Sequence, residues 1–246
     1  MKKVLKRILI IIIVAILLVA AVILVSIFPM FSMTPAATGE IPGTNIFAVN
    51  NSLNALYFID TDEGYIVVDA GSDTKAVAQT LTETGIAPSD VKYVLLTHSD
   101  YDHVASLPLF GNAQIYMCED EMQVLDGTTK RNFYSSNSLP DDILLGNITL
   151  LEDGQDLELG GHSVECIKVP GHTTGSMAYL LDGQYLFTGD ALKVADGEMD
   201  IHPFTMDKET AKNSIDRINE IKNESELMLT AHYGYYMPNE LNWDVR

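Results

Sequence analysis

The densest chemistry in the sequence lies in Thr97-His98-Ser99-Asp100-Tyr101-Asp102-His103, where four possible metal ligands fall within six residues. Burying that many ionisable groups side by side is costly without a cation to balance them. Imidazole and carboxylate donors together, with no thiolate, suit Zn²⁺, Mn²⁺ or Fe. The only cysteines, Cys118 and Cys166, show no C-x-x-C spacing, so neither a thiolate zinc knuckle nor a disulfide framework is expected. They are read first as two buried free thiols, with a single Cys118–Cys166 bridge as the alternative.

The cluster needs a rigid support, and the residues before it supply one. Val91-Lys92-Tyr93-Val94-Leu95-Leu96-Thr97 is almost continuously apolar, the pattern of a strand covered on both faces. Such a strand delivers its closing loop to a fixed point at the sheet edge. A helix is expected to start after His103. Further strands are predicted at 45–50, 55–60, 65–69, 114–117, 148–151, 163–169, 177–181, 185–188 and 227–230. Helices are predicted at 73–83, stopped by Gly85, and at 207–221, where Ile215, Ile218 and Ile221 recur at helical spacing. Strands in runs, with helices between and after them, fit two sheets packed between helices.

Residues 8–28 read ILIIIIVAILLVAAVILVSIF, with Ser26 as the one polar residue. As a helix this run is roughly 30 Å long, the thickness of a bilayer's hydrocarbon core. The apolar core of a cleaved signal peptide is shorter, about 7 to 15 residues, and no clean A-x-A site follows. An uncleaved signal anchor is therefore expected. Lys2, Lys3, Lys6 and Arg7 precede the run, which places residues 1–7 in the cytoplasm and the remainder outside it. Residues 29–42, with Pro29, Pro35, Gly39 and Pro42, read as a tether, and 43–246 as one domain. The formal net charge is -19, with 34 acidic against 15 basic residues, and four of the basic ones stand before the apolar run. An acidic domain without a basic stripe repels polyanions, so no nucleic-acid partner is expected.

The segment 97–103 resembles the His-x-His-x-Asp-His signature of the metallo-β-lactamase superfamily, with Asp100 in place of the second His. Four more pieces match in family order. Val68-Asp69-Ala70-Gly71 resembles the first motif, whose Asp braces the loop. Pro170-Gly171-His172-Thr173-Thr174-Gly175-Ser176 resembles the Gly-His-Thr-x-Gly-Ser turn. Thr188-Gly189-Asp190 resembles the segment whose carboxylate bridges two metals. Thr230-Ala231-His232 occupies the place of the last ligand His. One such motif is weak evidence, whereas five in order are specific.

The resemblance implies an α+β fold, a four-layer αββα sandwich, and the apolar run at 8–28 places one N-terminal transmembrane helix ahead of it. It also implies two divalent metal ions, with zinc expected first and Mn or Fe admitted by Asp100. His98, Asp100 and His172 would hold one ion, Asp102, His103 and His232 the other, and Asp190 both. Two such ions lower the pKa of a shared water from about 15.7 to about 7. The hydroxide then attacks an ester, thioester, lactone, lactam or phosphodiester of a small-molecule substrate, and the resemblance implies that Asp102 orients it.

Asp100 leaves a second chemistry open, since the family's di-iron oxygen-reducing branch carries a Glu at this position. Its members draw electrons from a flavin domain, and none is recognised here, so hydrolysis is the expected activity. A non-catalytic, metal-holding binding domain is the third reading. Lys193, three residues after Asp190, is a candidate for a substrate carboxylate. His202 is a candidate for the pocket rim. His162 is expected in an exposed turn, and Tyr233, Tyr235 and Tyr236 as packing residues.

Overall fold

A computed structural model of the chain describes residues 2–131, 137–143 and 147–243. It divides into two compact units, residues 1–33 and 34–246.

The first unit is helix α1 (Lys2–Ile27) followed by a short 3-10 turn (Phe28–Ser32). Its apolar side chains at 8–14, 16–19 and 22–25 are exposed on every face. A helix of that kind is stable only where something apolar surrounds it. By length and composition, Lys6–Ser32 suffices to cross a membrane. Met1 and residues 244–246, the outer ends of the expected segments, lie outside the described residues.

The second unit opens with strands β1 (Gly39–Glu40), β2 (Ile46–Asn51), β3 (Asn54–Thr61) and β4 (Gly64–Val68), joined antiparallel by tight turns. Helix α2 (Thr74–Thr84) follows. The Asp73 carboxylate accepts from the backbone N–H of Lys75 and Ala76 at its start, and Gly85 ends it in a left-handed conformation. Strand β5 (Val91–Leu95) lies parallel to β4. After helix α3 (Tyr101–Val104) comes β6 (Gln114–Cys118), parallel to β5, then helix α4 (Met122–Leu125) and β7 (Ile148–Leu151), parallel to β6. The first sheet therefore runs β1 to β7 in sequence order.

The second sheet is built from β8 (Gln155–Leu159), β9 (His162–Lys168), β10 (Met177–Leu181), β11 (Tyr185–Gly189), β14 (Leu227–Thr230) and β15 (Tyr235–Tyr236), in the order β15-β14-β11-β10-β9-β8. Between β11 and β14 the chain makes a small hairpin, β12 (Lys193–Ala195) with β13 (Glu198–Asp200), and helix α5 (Lys208–Ile221).

Two apolar layers account for the sandwich. One lies between the sheets, where Tyr57, Ile59, Ile66 and Leu95 meet Val164, Tyr179, Phe187 and Leu229. The other lies outside the first sheet, where Phe58, Val67 and Val94 meet Val77, Leu81, Leu107 and Phe110. Helix α5 lies beside the second sheet's β9 end: Arg217 donates to the Lys168 carbonyl and Ser214 to that of Pro170. Burying these side chains, each contributing roughly 1.5–3 kcal/mol, is what holds the two sheets together and the first sheet to its covering helices. Cys118 and Cys166 are free, buried thiols in the inter-sheet layer, where loss of solvation pushes them up to about 11 and about 12.

Three expectations are corrected. The helix near the histidine cluster begins at Tyr101, before His103, so Asp102 and His103 ride its single turn. The expected tether is shorter: Ala36 and Ile41 are buried, and β1 pairs with Phe47 and Ala48. His162 opens β9, where its ring is only 18% exposed and pairs with Asp182 at 2.6 Å.

Candidate metal centre

The seven sequence-predicted donors meet at one edge of the two sheets. His98, Asp100, Asp102 and His103 come from the loop after β5 and from α3; His172 from the turn after β9; Asp190 from the end of β11; His232 from the end of β14. Gly189 makes this convergence possible. Its φ is +53°, and a Cβ there would fall 2.6 Å from the Thr97 side chain, so only glycine lets the β11 end approach the histidine loop.

Two groups of donors match the expected division. His98, Asp100 and His172 offer ligand atoms within 4.8 Å of one another, and so do Asp102, His103 and His232. Asp190 lies between them. Its Oδ2 is 3.0 Å from His232 Nε2 and 3.4 Å from His172 Nε2, and its Oδ1 is 3.6 Å from His103 Nε2. The Asp102 carboxylate is 3.4 Å from His232 Nε2 and 3.6 Å from His103 Nε2. Tetrahedral coordination with bonds of ~2.0–2.1 Å puts neighbouring donors about 3.4 Å apart.

The donor chemistry fits bound divalent cations. Among the described residues, His98 Nε2, His103 Nε2 and Asp190 Oδ1 are buried without a hydrogen-bond partner, as are both ring nitrogens of His202. Buried polar atoms are rarely left so. Charge is divided unevenly among these side chains. Burial opposes charge on Asp190, yet the surrounding His232, His202 and His103 hold it well below the usual carboxylate range. Burial also opposes charge on His103, and Asp69, Asp190 and Asp102 overcome that and raise it well above the ordinary imidazole value. Burial dominates at His172, pushed down to about 4, and at His202, which is lowered well below its ordinary range.

A supporting layer fixes the candidate ligands. Asp69, itself in the left-handed region at φ 61°, accepts at Oδ1 from the Thr97 N–H (2.9 Å) and lies 2.8 Å from His103 Nδ1 through Oδ2. That leaves His103 Nε2 free to face the centre. His232 Nδ1 is likewise held, 2.6 Å from the Leu53 carbonyl. Buried Glu121 accepts from the Ser99 N–H and hydroxyl and from Thr173 and the Gly175 N–H, tying the histidine loop to the His172 turn. Gly175 sits so close that a Cβ would meet the Glu121 backbone nitrogen at 2.1 Å.

Sequence reasoning missed Arg131. Its Nε and Nη2 grip both oxygens of Asp100, and its Nη1 donates to the carbonyls of His172 (2.6 Å) and Phe204 (2.9 Å). Asn137 adds a bond to Asp100 Oδ1 at 2.8 Å. His98 and His172, through hydrogen bonds and charge, overcome the effect of burial on Asp100 and keep it well below the carboxylate range. The one available signal was that Arg131 is among only four arginines in an acidic chain. His202, expected at the rim, is instead 1% exposed inside the cluster, its ring 4.7 Å from that of His172 and stacked 5.5 Å from that of His232. Lys193, at the start of β12, pairs with Asp200 at 3.1 Å. Tyr233 is buried against the His202 and His232 rings, and Tyr236 donates to its carbonyl.

A family model of the metallo-beta-lactamase superfamily matches residues 53–232. The chain belongs to this superfamily. It is 32% identical over 144 residues to a probable polyketide biosynthesis zinc-dependent hydrolase of Bacillus subtilis, covering 56% of this chain and 55% of that one. It is 30% identical over 140 residues to a hydroxyacylglutathione hydrolase of Serratia proteamaculans, covering 56% and 47%. The chain thus spans about half the length of these curated relatives. A subclass B3 metallo-beta-lactamase of Bradyrhizobium japonicum superposes with a TM-score of 0.63 at 19% identity, over 82% of this chain and 80% of that one, a likeness of fold. Relatives with this metallo-β-lactamase fold are named hydrolases, and divalent metal binding, zinc first, belongs to the fold.

Proposed function

We propose that this chain is a membrane-anchored hydrolase with a binuclear metal centre, cleaving an ester, thioester, lactone, lactam or phosphodiester bond of a small molecule. The observation that carries the reading is the shared Asp190 carboxylate, with three donors on one side of it, three on the other, and unpartnered nitrogens facing inward. His98, Asp100 and His172 would hold one ion, Asp102, His103 and His232 the other, and Asp190 both. When bound, two such ions supply Lewis acidity and an acidified water at neutral pH.

The chain's own residues do the rest. Asp102 is the most open of the acidic donors, its carboxylate 34% exposed against 15% for Asp100 and 4% for Asp190. It therefore stands where substrate arrives, placed to orient a water by accepting its proton in a hydrogen bond. Asp69 and the Leu53 carbonyl hold the His103 and His232 rings still, so the centre needs no rearrangement as charge develops. Lys193 lies near enough to the Asp190 strand end in sequence to offer a cation to an anionic substrate if it leaves Asp200.

The helix α1, with Lys2, Lys3, Lys6 and Arg7 ahead of the apolar run, anchors the domain on the extracytoplasmic side. Metal analysis of chain purified without chelator, combined with chromogenic lactam, lactone, thioester and phosphodiester substrates, tests the activity. About two ions per chain and turnover on one substrate class are expected. Full metal with no turnover on any class would favour a binding domain, and iron-dependent oxygen uptake without hydrolysis would replace the hydrolase with an oxidoreductase. A reporter fused after Arg246 that works only in the cytoplasm would refute the orientation.

A further inference from the structure

One buried histidine is left over once the seven family-pattern donors are assigned. His202 lies in the loop between β13 and α5, and the fold holds it in place firmly. Met206 and Asp207 donate their N–H groups to the Gly171 carbonyl at 3.0 and 2.9 Å, and Thr205 donates to the His202 carbonyl at 3.1 Å. These bonds fasten the loop to the His172 turn and push the His202 ring between His172 and His232. Neither ring nitrogen finds a hydrogen-bond partner among the described residues, and the residue is 1% exposed. An imidazole buried without a protein partner costs stability unless something occupies a lone pair.

The neighbours identify what that is. His202 Nε2 is 3.8 Å from Asp190 Oδ2, which is itself 3.4 Å from His172 Nε2, and the three residues offer donor atoms within 4.8 Å of one another. That is the spacing of atoms sharing one ion. The alternative donor on this side, Asp100, is already engaged: Arg131 holds both of its oxygens, and Arg131 Nη2 also lies 2.9 Å from His172 Nε2. A guanidinium at that edge repels a divalent cation and moves its best position away from Asp100, toward Asp190 and His202.

We infer that His202 is a ligand of the ion on the His172 side, sharing it with His98, His172 and Asp190, while Asp100 serves mainly to hold Arg131. This rests on the metal-centre reading above and revises one half of it, with His202 taking the ligand place given there to Asp100. It would give that ion three imidazoles and one carboxylate, a set that suits Zn²⁺ and disfavours the harder Mn²⁺.

The test uses the full chain in detergent, reconstituted with zinc or cobalt. Metal content, the visible spectrum of the cobalt form and near-ultraviolet circular dichroism would be compared for the unaltered chain and His202→Gln. The expected result is about two ions in the unaltered chain and about one in the variant, with the fold retained. The affinity for the lost ion should fall by more than the about 10- to 100-fold that an outer-shell partner controls. Two ions with an unaltered cobalt spectrum in His202→Gln would overturn the inference and leave the metal centre standing. An unaltered chain that takes up no metal would instead overturn the metal centre itself. Should Gln disturb the fold, His202→Gly with added free imidazole decides the matter. Return of the original cobalt spectrum supports a ligand, and no return rejects one.

Discussion

The two halves of the cluster are supported in different ways. Around His103 and His232, the ring nitrogens facing away from the centre are both taken, by the Asp69 carboxylate and the Leu53 carbonyl, and the nitrogens facing inward are directed at Asp102 and Asp190. Around His98 and His172, support reaches the ligand atoms themselves. Arg131 and Asn137 bind the Asp100 carboxylate, Arg131 touches His172 Nε2, and His172 Nδ1 is buried without a partner. The first arrangement tunes ligands from behind and leaves their lone pairs for an ion. The second spends lone pairs on a protein cation and leaves His202 to make up the difference. One half is therefore expected to behave as the family pattern implies, and the other to depend on residues outside that pattern.

Removing the group common to both halves is expected to have the largest effect. Asp190→Ala takes away the only carboxylate that reaches His103, His172 and His232 at once among the described residues. Both ions should be lost or weakened, and turnover should fall by more than the about 10- to 100-fold that losing an outer-shell partner costs. Elemental analysis and steady-state rates check this. Loss of one ion alone would show that Asp190 belongs to a single half.

Asp69→Asn then probes the half braced from behind. The side chain keeps its shape but loses the charge that fixes the His103 ring. Affinity for one ion should fall about 10- to 100-fold, as for other outer-shell carboxylates, while the second ion stays bound. Competition with a chelating dye measures it, and equal weakening of both ions would erase the contrast between the halves.

Much of this was legible in the sequence because the chemistry is local there. Four donors in 98–103, behind a strand apolar from Val91, fix both a loop and its support. The strands at 148–151, 177–181 and 227–230 lie where the apolar runs do. The strand Gln155–Leu159 escaped notice because its exposed, acidic face interrupts the apolar pattern. Arg131 and His202 escaped for a different reason. Each acts across the fold, on Asp100 and His172 or on Asp190, and no short-range spacing records a partner that distant. Helix α3 starts at Tyr101, earlier than the spacing predicts, and Asp100 stands at its boundary without a side-chain capping bond.

The half held from in front offers the subtlest test. Asp100→His alone recreates the common family motif, but here it strands Arg131 in a buried site without its anion, 4% exposed and, among the described residues, hydrogen-bonded otherwise only to the His172 ring and two carbonyls. Breaking a buried pair from one side costs about 3–5 kcal/mol, so this variant should be markedly less stable and poorer in metal. Arg131→Gln should show a similar loss for the mirror reason, a carboxylate left without its cation. The double variant removes both charges, and its destabilisation should be smaller than either single one, because the interaction that each single change breaks is no longer there to break. Denaturant unfolding of the four proteins gives the coupling directly. With Arg131 gone, the imidazole introduced at position 100 is free to bind the ion, and hydrolysis should be retained within about tenfold, or raised. Losses that simply add would show that Asp100 and Arg131 act independently, and the distinction drawn between the two halves would then rest on His202 alone.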